Sequence, residues 1–395
     1  MFLATACNRL IKLILFMPIV IHSALAEVTS ESWNALIQDD YPFIKHEFLS
    51  ALETTGCVTP ETGWIPSHIV NYADDNRTIL CAMPCYEKSH SYGEYIFDWA
   101  WADAYFRHGI NYYPKLSTAI PFTPATGQRV LASKNTVDPY PTLVDATQFL
   151  CHERELSGWH GLFLNSKEID QFAHDSNYLV RHSNQFHWQN HSYSNFNEFL
   201  ASLNSKKRKN IKRERRRIVE MDVQYRWLSG EDLTTEVMHT MYRFYQRTIA
   251  LYGAQSYLNK PFFEFLGSSF NRNTMVLFAY YNDQIIAGGL YFKGDSVLYG
   301  RYWGALHNFH SVHFETCYYQ AIQWCIEHGY ERFEAGAQGE HKLARGLSPS
   351  TTYSAHWFVD ERFQSAIGEY VTQEQHHVAE YQHKIAKHSP YRNEI

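Results

Sequence analysis

The segment Leu298–Arg345 constrains the fold more than any other part of the chain. It reads LYGRYWGA, then a helical run HFETCYYQAIQWCIEHG, then YERFEAGA and a glycine-rich polar loop, QGEHKLARG. Just upstream, MVLFAYY, Asn282-Asp283 and QIIAGGLYFKGDSVLYGRYWGA are apolar runs separated by turn pairs, which predicts an antiparallel strand meander. A meander that feeds a helix and then another strand specifies an α/β unit. The predicted helix from His313 carries Phe314, Cys317, Tyr318, Ala321, Ile322 and Cys325 on its apolar stripe, which leaves Glu315 near the first turn and off the core.

At 395 residues the chain exceeds what a single core usually supports, so two domains are expected. The first would occupy 27–192. Within it, RTILCAMPCYEK reads as a strand, HSYGEYIFDWAWADAYFRHG ends as a helix closed by Gly109, and YYPKLSTAIPFTPATGQRVLAS is an extended segment with three prolines. A helix near Thr142–Glu153, a strand HGLFLN, a helix from Lys167 and a strand YLVRHSNQFHWQN complete this unit. The second would occupy 193–395, closing with a strand TTYSAHWFVD and a helix Phe363–Lys387. Residues 1–26 read either as a strand-like segment or as a signal peptide. Arg9 and Lys12 precede an apolar run, and Ala24-Leu25-Ala26 has the look of a cleavage site, while the run is too short to span a bilayer.

A net charge of −6 provides no global drive toward nucleic acid, so no DNA partner is expected. Locally, SKKRKNIKRERRR places nine basic residues between Lys206 and Arg217. Such density suits either the solvated face of an amphipathic helix or a phosphate-binding face formed by Lys206, Lys207, Arg208, Lys212 and Arg213. The seven cysteines form no disulfide framework. Cys317 and Cys325 lie eight apart on one helix, roughly 12 Å along its axis, and Cys81 and Cys85 read as buried strand thiols. The histidines are scattered without carboxylates at ligand spacing, Glu315 excepted, so no metal is expected.

The segments HSYGEYIFDWAWADAYFRHG, YYPKLSTAIPFTPATG, QFHWQN, SKKRKNIKRERR, YGRYWG, HFETCYYQAI and EAGAQGEHKLARG resemble the bacterial FemAB-like predicted N-acyltransferases, the peptidoglycan biosynthesis/recognition proteins. The resemblance covers the chain from about Trp33 to Arg392. It implies two tandem GNAT-like (Gcn5-related N-acetyltransferase) α/β domains with mixed sheets, and transfer of an acyl or aminoacyl group to an amine, with a small molecule or a peptidoglycan precursor as acceptor. The donor would be acyl-CoA or aminoacyl-tRNA, with tRNA then a partner. Both donors are cytoplasmic, so a cytoplasmic location without stable membrane insertion is expected, and a secreted or periplasmic one if residues 1–26 are cleaved. The turn GALHNFHSVH, where a GNAT fold would hold the CoA pyrophosphate, lacks the glycine-rich Q/R-x-x-G-x-G/A pattern and shifts weight to aminoacyl-tRNA.

Amide formation by acyl transfer needs a base for the ammonium proton, a donor to the carbonyl oxyanion and anchors for charged groups. Glu315, Glu334 and His341 are the base candidates, and Tyr299 is the oxyanion donor. Arg301, Lys342 and Arg345 are the anchors, the last two beside a turn, Gly336–Gly339, whose glycines let backbone approach a ligand. For Glu334, at the end of a buried strand, a salt bridge to Arg301 or Lys342 is the structural alternative. In the first domain, loops bearing His90, Tyr92 and Glu94 would form the acceptor side of a cleft. The same residues would also serve a non-catalytic protein that binds cell-wall or nucleotide-linked ligands on a degenerate acyltransferase fold.

Overall fold

A computed structural model describes residues 19–392 except 135, 137, 308, 310, 337 and 338. The chain divides into two α/β units. One holds the described residues up to Ser183 together with Thr352–Val378, and the other holds Asn184–Thr351 together with those from Ala379 on.

The strands of the first unit are β1 (Ile19–His22), β2 (Trp64–Pro66), β3 (His68–Tyr72), β4 (Ile79–Met83), β5 (Cys85–Lys88), β6 (Lys115–Thr118), β7 (Leu131–Ala132) and β8 (Gly158–Leu164). β1, β3, β4 and β7 make one antiparallel sheet. RTILCAMPCYEK is therefore two strands in different sheets and not one. Pro84 separates them, because a residue without an N–H cannot continue a ladder. β1 lies within the N-terminal segment expected to be strand-like; the rest of that apolar run, through residue 18, lies outside the described residues. Cys81, Cys85 and four further described cysteines are free thiols, and all but Cys317 are buried.

The second sheet of this unit contains one parallel pair, β6 with β8. Past Thr118 the chain does not leave the edge of β8 open: Gly127 rejoins it by a parallel bridge to Leu164. Arg129, fully buried, locks that return by donating to the carbonyl oxygens of Ala125, Gln128 and Leu162. The carboxylate of Glu168 accepts from the backbone N–H groups of Arg129 and Val130. The helix Tyr140–Glu153 covers the sheets with Leu143, Ala146 and Leu150, packed among Ile69, Met83 and Trp159.

The second unit takes β9 (Leu179–Gln189) from residue 184 on, then β10 (Gln224–Ser229), β11 (Thr274–Tyr281), β12 (Gln284–Lys293), β13 (Val297–Ala305) and β14 (Arg332–Glu334). The last strand of the chain, β15 (Ser348–Phe358), pairs with β8 through its residues from 353 on. β10 to β13 form the expected meander. Asn282 and Asp283 both adopt the left-handed conformation that a two-residue hairpin turn requires. The sheet order is β10-β11-β12-β13-β14-β9, with β13–β14 the one parallel pair. Parallel neighbours need a crossover, and the crossover is the helical run Val312–Glu327. Its Tyr319, Ile322 and Cys325 pack with Leu277, Leu298 and Phe333 in the core. Among the described residues no helix is long and apolar enough to cross a membrane.

Candidate functional site

β13 and β14 run together for three residues, ending at the pair Tyr299 and Glu334. β14 then stops, whereas β13 continues to Ala305 alongside β12 alone. The two strands thus splay apart, and backbone groups beyond the fork are free to meet a ligand. A β-bulge sharpens the fork: Tyr291 opposes Gly300 and Leu290 opposes Tyr302, so Arg301 is the extra residue. Bulges bend a strand and re-aim side chains, and they recur beside functional sites. A cavity of about 130 Å3 occupies the fork, lined by Gly300, Arg301, Trp303, His313, Cys317 and Tyr318 among others.

Lys342 comes from the loop that follows β14. It is 2% exposed, and its Nζ donates to the carbonyl oxygen of Gly336 at 2.7 Å, with no carboxylate partner among the described residues. Burial pulls its pKa down to about 8; the Cys317 thiol opposes that shift and Arg301 adds to it. The same loop holds His341, whose Nε2 is 2.8 Å from the Tyr318 hydroxyl. Burial, then Arg345 and Lys342, lower the His341 pKa and favour the neutral imidazole. Burial also drives His313 down to about 4, with His341, Arg345 and Lys342 adding to the effect. Arg345 donates to the His341 carbonyl and to Glu214, and lies 3.3 Å above the Phe314 ring. Part of the glycine-rich turn, Ala337 and Gln338, lies outside the described residues.

One acid sits where the sequence did not place it, and a second keeps its place but has other partners. Glu315, expected off the core, is 2% exposed. The turn Glu315–Tyr319 is a π-turn, whose extra residue rotates the helical face, so the carboxylate points inward. There it accepts from Arg215 at 3.1 Å and Gln320 at 2.7 Å. Burial raises its pKa, Arg215 and Gln320 oppose the rise, and its Oε2 has no hydrogen-bond donor. Glu334 is 3% exposed, and its ionic neighbours are Arg332 and His187 in place of Arg301 or Lys342. The Arg332 contact is close at 3.0 Å but misaligned, because neither carboxylate oxygen of Glu334 has a hydrogen bond among the described residues. Tyr299, its cross-strand neighbour, is also buried.

The basic stretch forms the helix Ser205–Glu220, capped by Asn204 and anchored by Ile211 and Ile218. Arg215 is committed to Glu315 and Gln323. Lys206, Lys212 and Arg213 are exposed and Lys207 and Arg208 half-buried, and none of these five forms an ion pair among the described residues. The remaining expected residues lie in the first unit. Glu94 is buried and accepts from Lys115 and Ser117 at 2.8 and 2.9 Å, while Lys115 also holds Asp98. Glu94 is therefore occupied inside a buried ion cluster. Tyr92 is 52% exposed and stands beside His90 and Trp99.

The sequence reading did not single out Arg301 as a bulge, Trp303 and Cys317 as cavity walls, or Arg215 as the partner of Glu315. The run Gly300-Arg301-Tyr302-Trp303-Gly304 carried a signal: it breaks strand alternation between two glycines. Gly304 serves packing here. A Cβ there would lie 2.1 Å from the Phe244 carbonyl oxygen. The following helix begins at Ser311 without a side-chain cap and continues with Val312, His313 and Phe314. This start is apolar and aromatic, and residues 308 and 310 of the turn before it lie outside the described residues. Among the described residues no three His, Cys, Asp or Glu side chains are grouped to hold a metal.

Two α/β units with mixed sheets, one carrying an open fork, give a tandem GNAT-like fold. The chain belongs to the FemAB-like family, described as peptidoglycan biosynthesis/recognition, whose model matches residues 24–393. Similar solved structures include FemX, with 9% identity, 89% of this chain and 100% of that chain covered, and a TM-score of 0.52. L-PGS from Bacillus licheniformis is 8% identical over 84% of this chain and 98% of its own, with a TM-score of 0.51. A conserved protein of unknown function from Bacteroides thetaiotaomicron is 11% identical over 87% and 100%, with a TM-score of 0.51. No curated protein matches the sequence.

Proposed function

We propose that the protein transfers an acyl group, in the form of an aminoacyl ester, to an amine of a peptidoglycan precursor, with the β13–β14 fork as the transfer site. One observation carries this reading: the Lys342 ammonium is buried beside the fork, within electrostatic reach of Arg301 and Cys317 that line it, with the Gly336 carbonyl its one acceptor among the described residues. A buried charge without a counterion is costly, so such a group is kept where a ligand supplies the negative charge. In amide formation that charge is the tetrahedral oxyanion, which Lys342 stabilises, and Arg301 at the bulge anchors the donor. His341, held neutral and oriented by Tyr318, takes the proton from the attacking ammonium. Glu315 then acts as a pin between helices through Arg215, and Glu334 and Tyr299 line the base of the fork. The family description supports the acceptor class, and the apolar and aromatic start of the helix supports aminoacyl-tRNA over acyl-CoA as donor. Both donors place the reaction in the cytoplasm.

The test is a mass measurement on a UDP-linked muropeptide incubated with the protein and either acetyl-CoA or tRNA charged with a mixture of amino acids. An aminoacyl mass increment from the charged tRNA is expected. Thermal stabilisation by the muropeptide without any mass increment from either donor would make this a binding protein.

The five cations Lys206, Lys207, Arg208, Lys212 and Arg213 of the helix Ser205–Glu220 then contact tRNA phosphates. Five such contacts predict a log–log slope of binding against salt of about −4. A filter-binding titration with uncharged tRNA across salt concentrations measures it, and a flat response rules out the helix as a phosphate face.

A further inference from the structure

Among the nine cations that the helix Ser205–Glu220 carries between Lys206 and Arg217 stands one acid, Glu214. Its side chain is 16% exposed and turns inward, where the carboxylate accepts from the Tyr319 hydroxyl and, at 3.3 Å, from Arg345. Its neighbour Arg215 reaches Glu315 and Gln323. Glu315, Tyr319 and Gln323 stand four apart, so the basic helix is keyed to one face of the helical run Val312–Glu327. Arg345 carries the contact onward. It is 8% exposed, packs on the Phe314 ring, and donates to the carbonyl oxygen of His341 at 2.7 Å. Helix, guanidinium and loop backbone thus form one hydrogen-bonded chain that ends one residue short of Lys342. The loop has other ties: Tyr381 donates to Glu340, and Tyr391 to the carbonyl oxygen of Gly346. Those hold its two ends, whereas the Arg345 bridge reaches the backbone between them.

We propose that Glu214 is a positioning residue for transfer: it fixes the Arg345 guanidinium, which fixes the His341 backbone and with it the imidazole and the Lys342 ammonium. The proposal rests on the reading of the fork as the transfer site. Glu214 itself touches neither substrate nor reacting atoms. A guanidinium has fixed donor directions, so an acceptor on one side dictates where the other side points. The acid also weakens the attraction of its helix for phosphate, and the inward contacts account for its place there. One consequence follows for the whole unit. The helix that bears the cations and the loop that bears the proposed base are a single element, so a ligand seated on the one is seated relative to the other. Loosening the link displaces the base, and a misplacement of about 1 Å costs up to ~10²-fold in rate.

The test uses the full-length protein and two readouts. In the transfer assay with charged tRNA and muropeptide, Glu214→Ala is expected to lower kcat ~10-fold or more with little change in KM for the muropeptide. Glu214→Gln, which keeps an acceptor for Arg345, should recover most of the rate. Arg345→Met should lose as much as Glu214→Ala, and combining the two should add nothing, because residues acting through one contact are not additive. The second readout needs no turnover: titration of His341 by NMR of isotope-labelled histidine, its signal identified by its loss in His341→Gln. The charged and titratable groups around this ring are Lys342 and Arg345 of its own loop and His313 and Tyr318 of the helical run. Burial lowers the His341 pKa, and Arg345 and Lys342 lower it further. A displaced Arg345 therefore lets the value rise, whereas an Arg345 that stays in place without its acid pushes it lower. A rise in Glu214→Ala is expected. A fall or no change, full kcat, or additive losses in the double variant overturns the positioning role. Should the alanine variant fold poorly, Arg345→Lys keeps the charge without the planar fork and is expected to lose rate to the same extent; full rate there overturns the proposal as well. A rise in the variant with no transfer by the wild type refutes the transfer reading and leaves the link standing, whereas transfer by the wild type with an unchanged titration in the variant refutes the link alone.

Discussion

Lys342→Met is expected to lower transfer to the muropeptide by about 10²–10³-fold in kcat, the loss seen when one oxyanion donor is removed, while the protein stays folded. The two readouts separate for a physical reason. Among the described residues the ammonium has one acceptor, Gly336, and no carboxylate depends on it, so replacing it with an apolar side chain of similar length strands no charge there. A thermal melt close to that of the wild type alongside lost turnover marks the lysine as chemical in role. A full-rate variant would remove the oxyanion assignment. The pH profile sharpens the test. Burial lowers the Lys342 pKa to about 8, so the cation is present below that pH and lost as pH rises through it. Transfer should therefore fall on the alkaline side near pH 8 in the wild type. In Lys342→Arg, which stays charged, that limb should move beyond the measurable range even if the absolute rate is lower.

The largest stability effect is expected in the other unit, at Lys115. Its ammonium lies between Glu94 and Asp98, all three essentially buried, with Ser91 and Ser117 completing the network. Burial alone would raise the Asp98 pKa, but Lys115 outweighs it and holds the carboxyl below its usual range. Lys115→Met leaves two buried carboxylates without their hydrogen-bonded cation, only Lys88 remaining within electrostatic reach, which costs about 3–5 kcal/mol. Urea unfolding followed by fluorescence measures the loss. A change under about 1 kcal/mol would mean that water or another cation reaches the site. Adding Glu94→Gln and Asp98→Asn to the same variant should recover part of the stability, because neutral amides need no counterion. Asp98 also fixes the sign of the acid response. Its folded pKa is depressed, so its contribution is complete above the unfolded value near 4 and is lost as pH falls through the folded one.

The strand meander and its crossover helix were legible because local chemistry specified them. Asn282-Asp283 suits one tight turn, and the apolar runs on either side leave no other pairing register that buries both. The loop bearing His341, Lys342 and Arg345 stood out in the sequence because glycines surround charges that a plain turn does not need, and the structure buries Lys342 and Arg345 of it. The inward turn of Glu315 was not. A reading at 3.6 residues per turn cannot anticipate one extra residue in the helix, and that residue decides which face the acid occupies. The division of RTILCAMPCYEK between two sheets was likewise hidden, since Pro84 states that a ladder breaks but not where the next strand goes. Glu94 illustrates the limit for single residues. Its partner Lys115 lies 21 positions away, and only the fold shows that the acid is already taken.

The two parallel pairs, β6–β8 and β13–β14, repeat one geometry with opposite outcomes: in the first the chain returns at Gly127 and Arg129 to close the edge, and in the second the fork stays open. With the fork as the proposed transfer site, equivalent positions in the two halves would report on different phenotypes. Variants around Gly127–Arg129 would be counted in how much protein a cell accumulates, and variants around Gly300–Ala335 in how fast each molecule works. A survey of random substitutions read only through yield, or only through rate, would recover one half of the chain and miss the other.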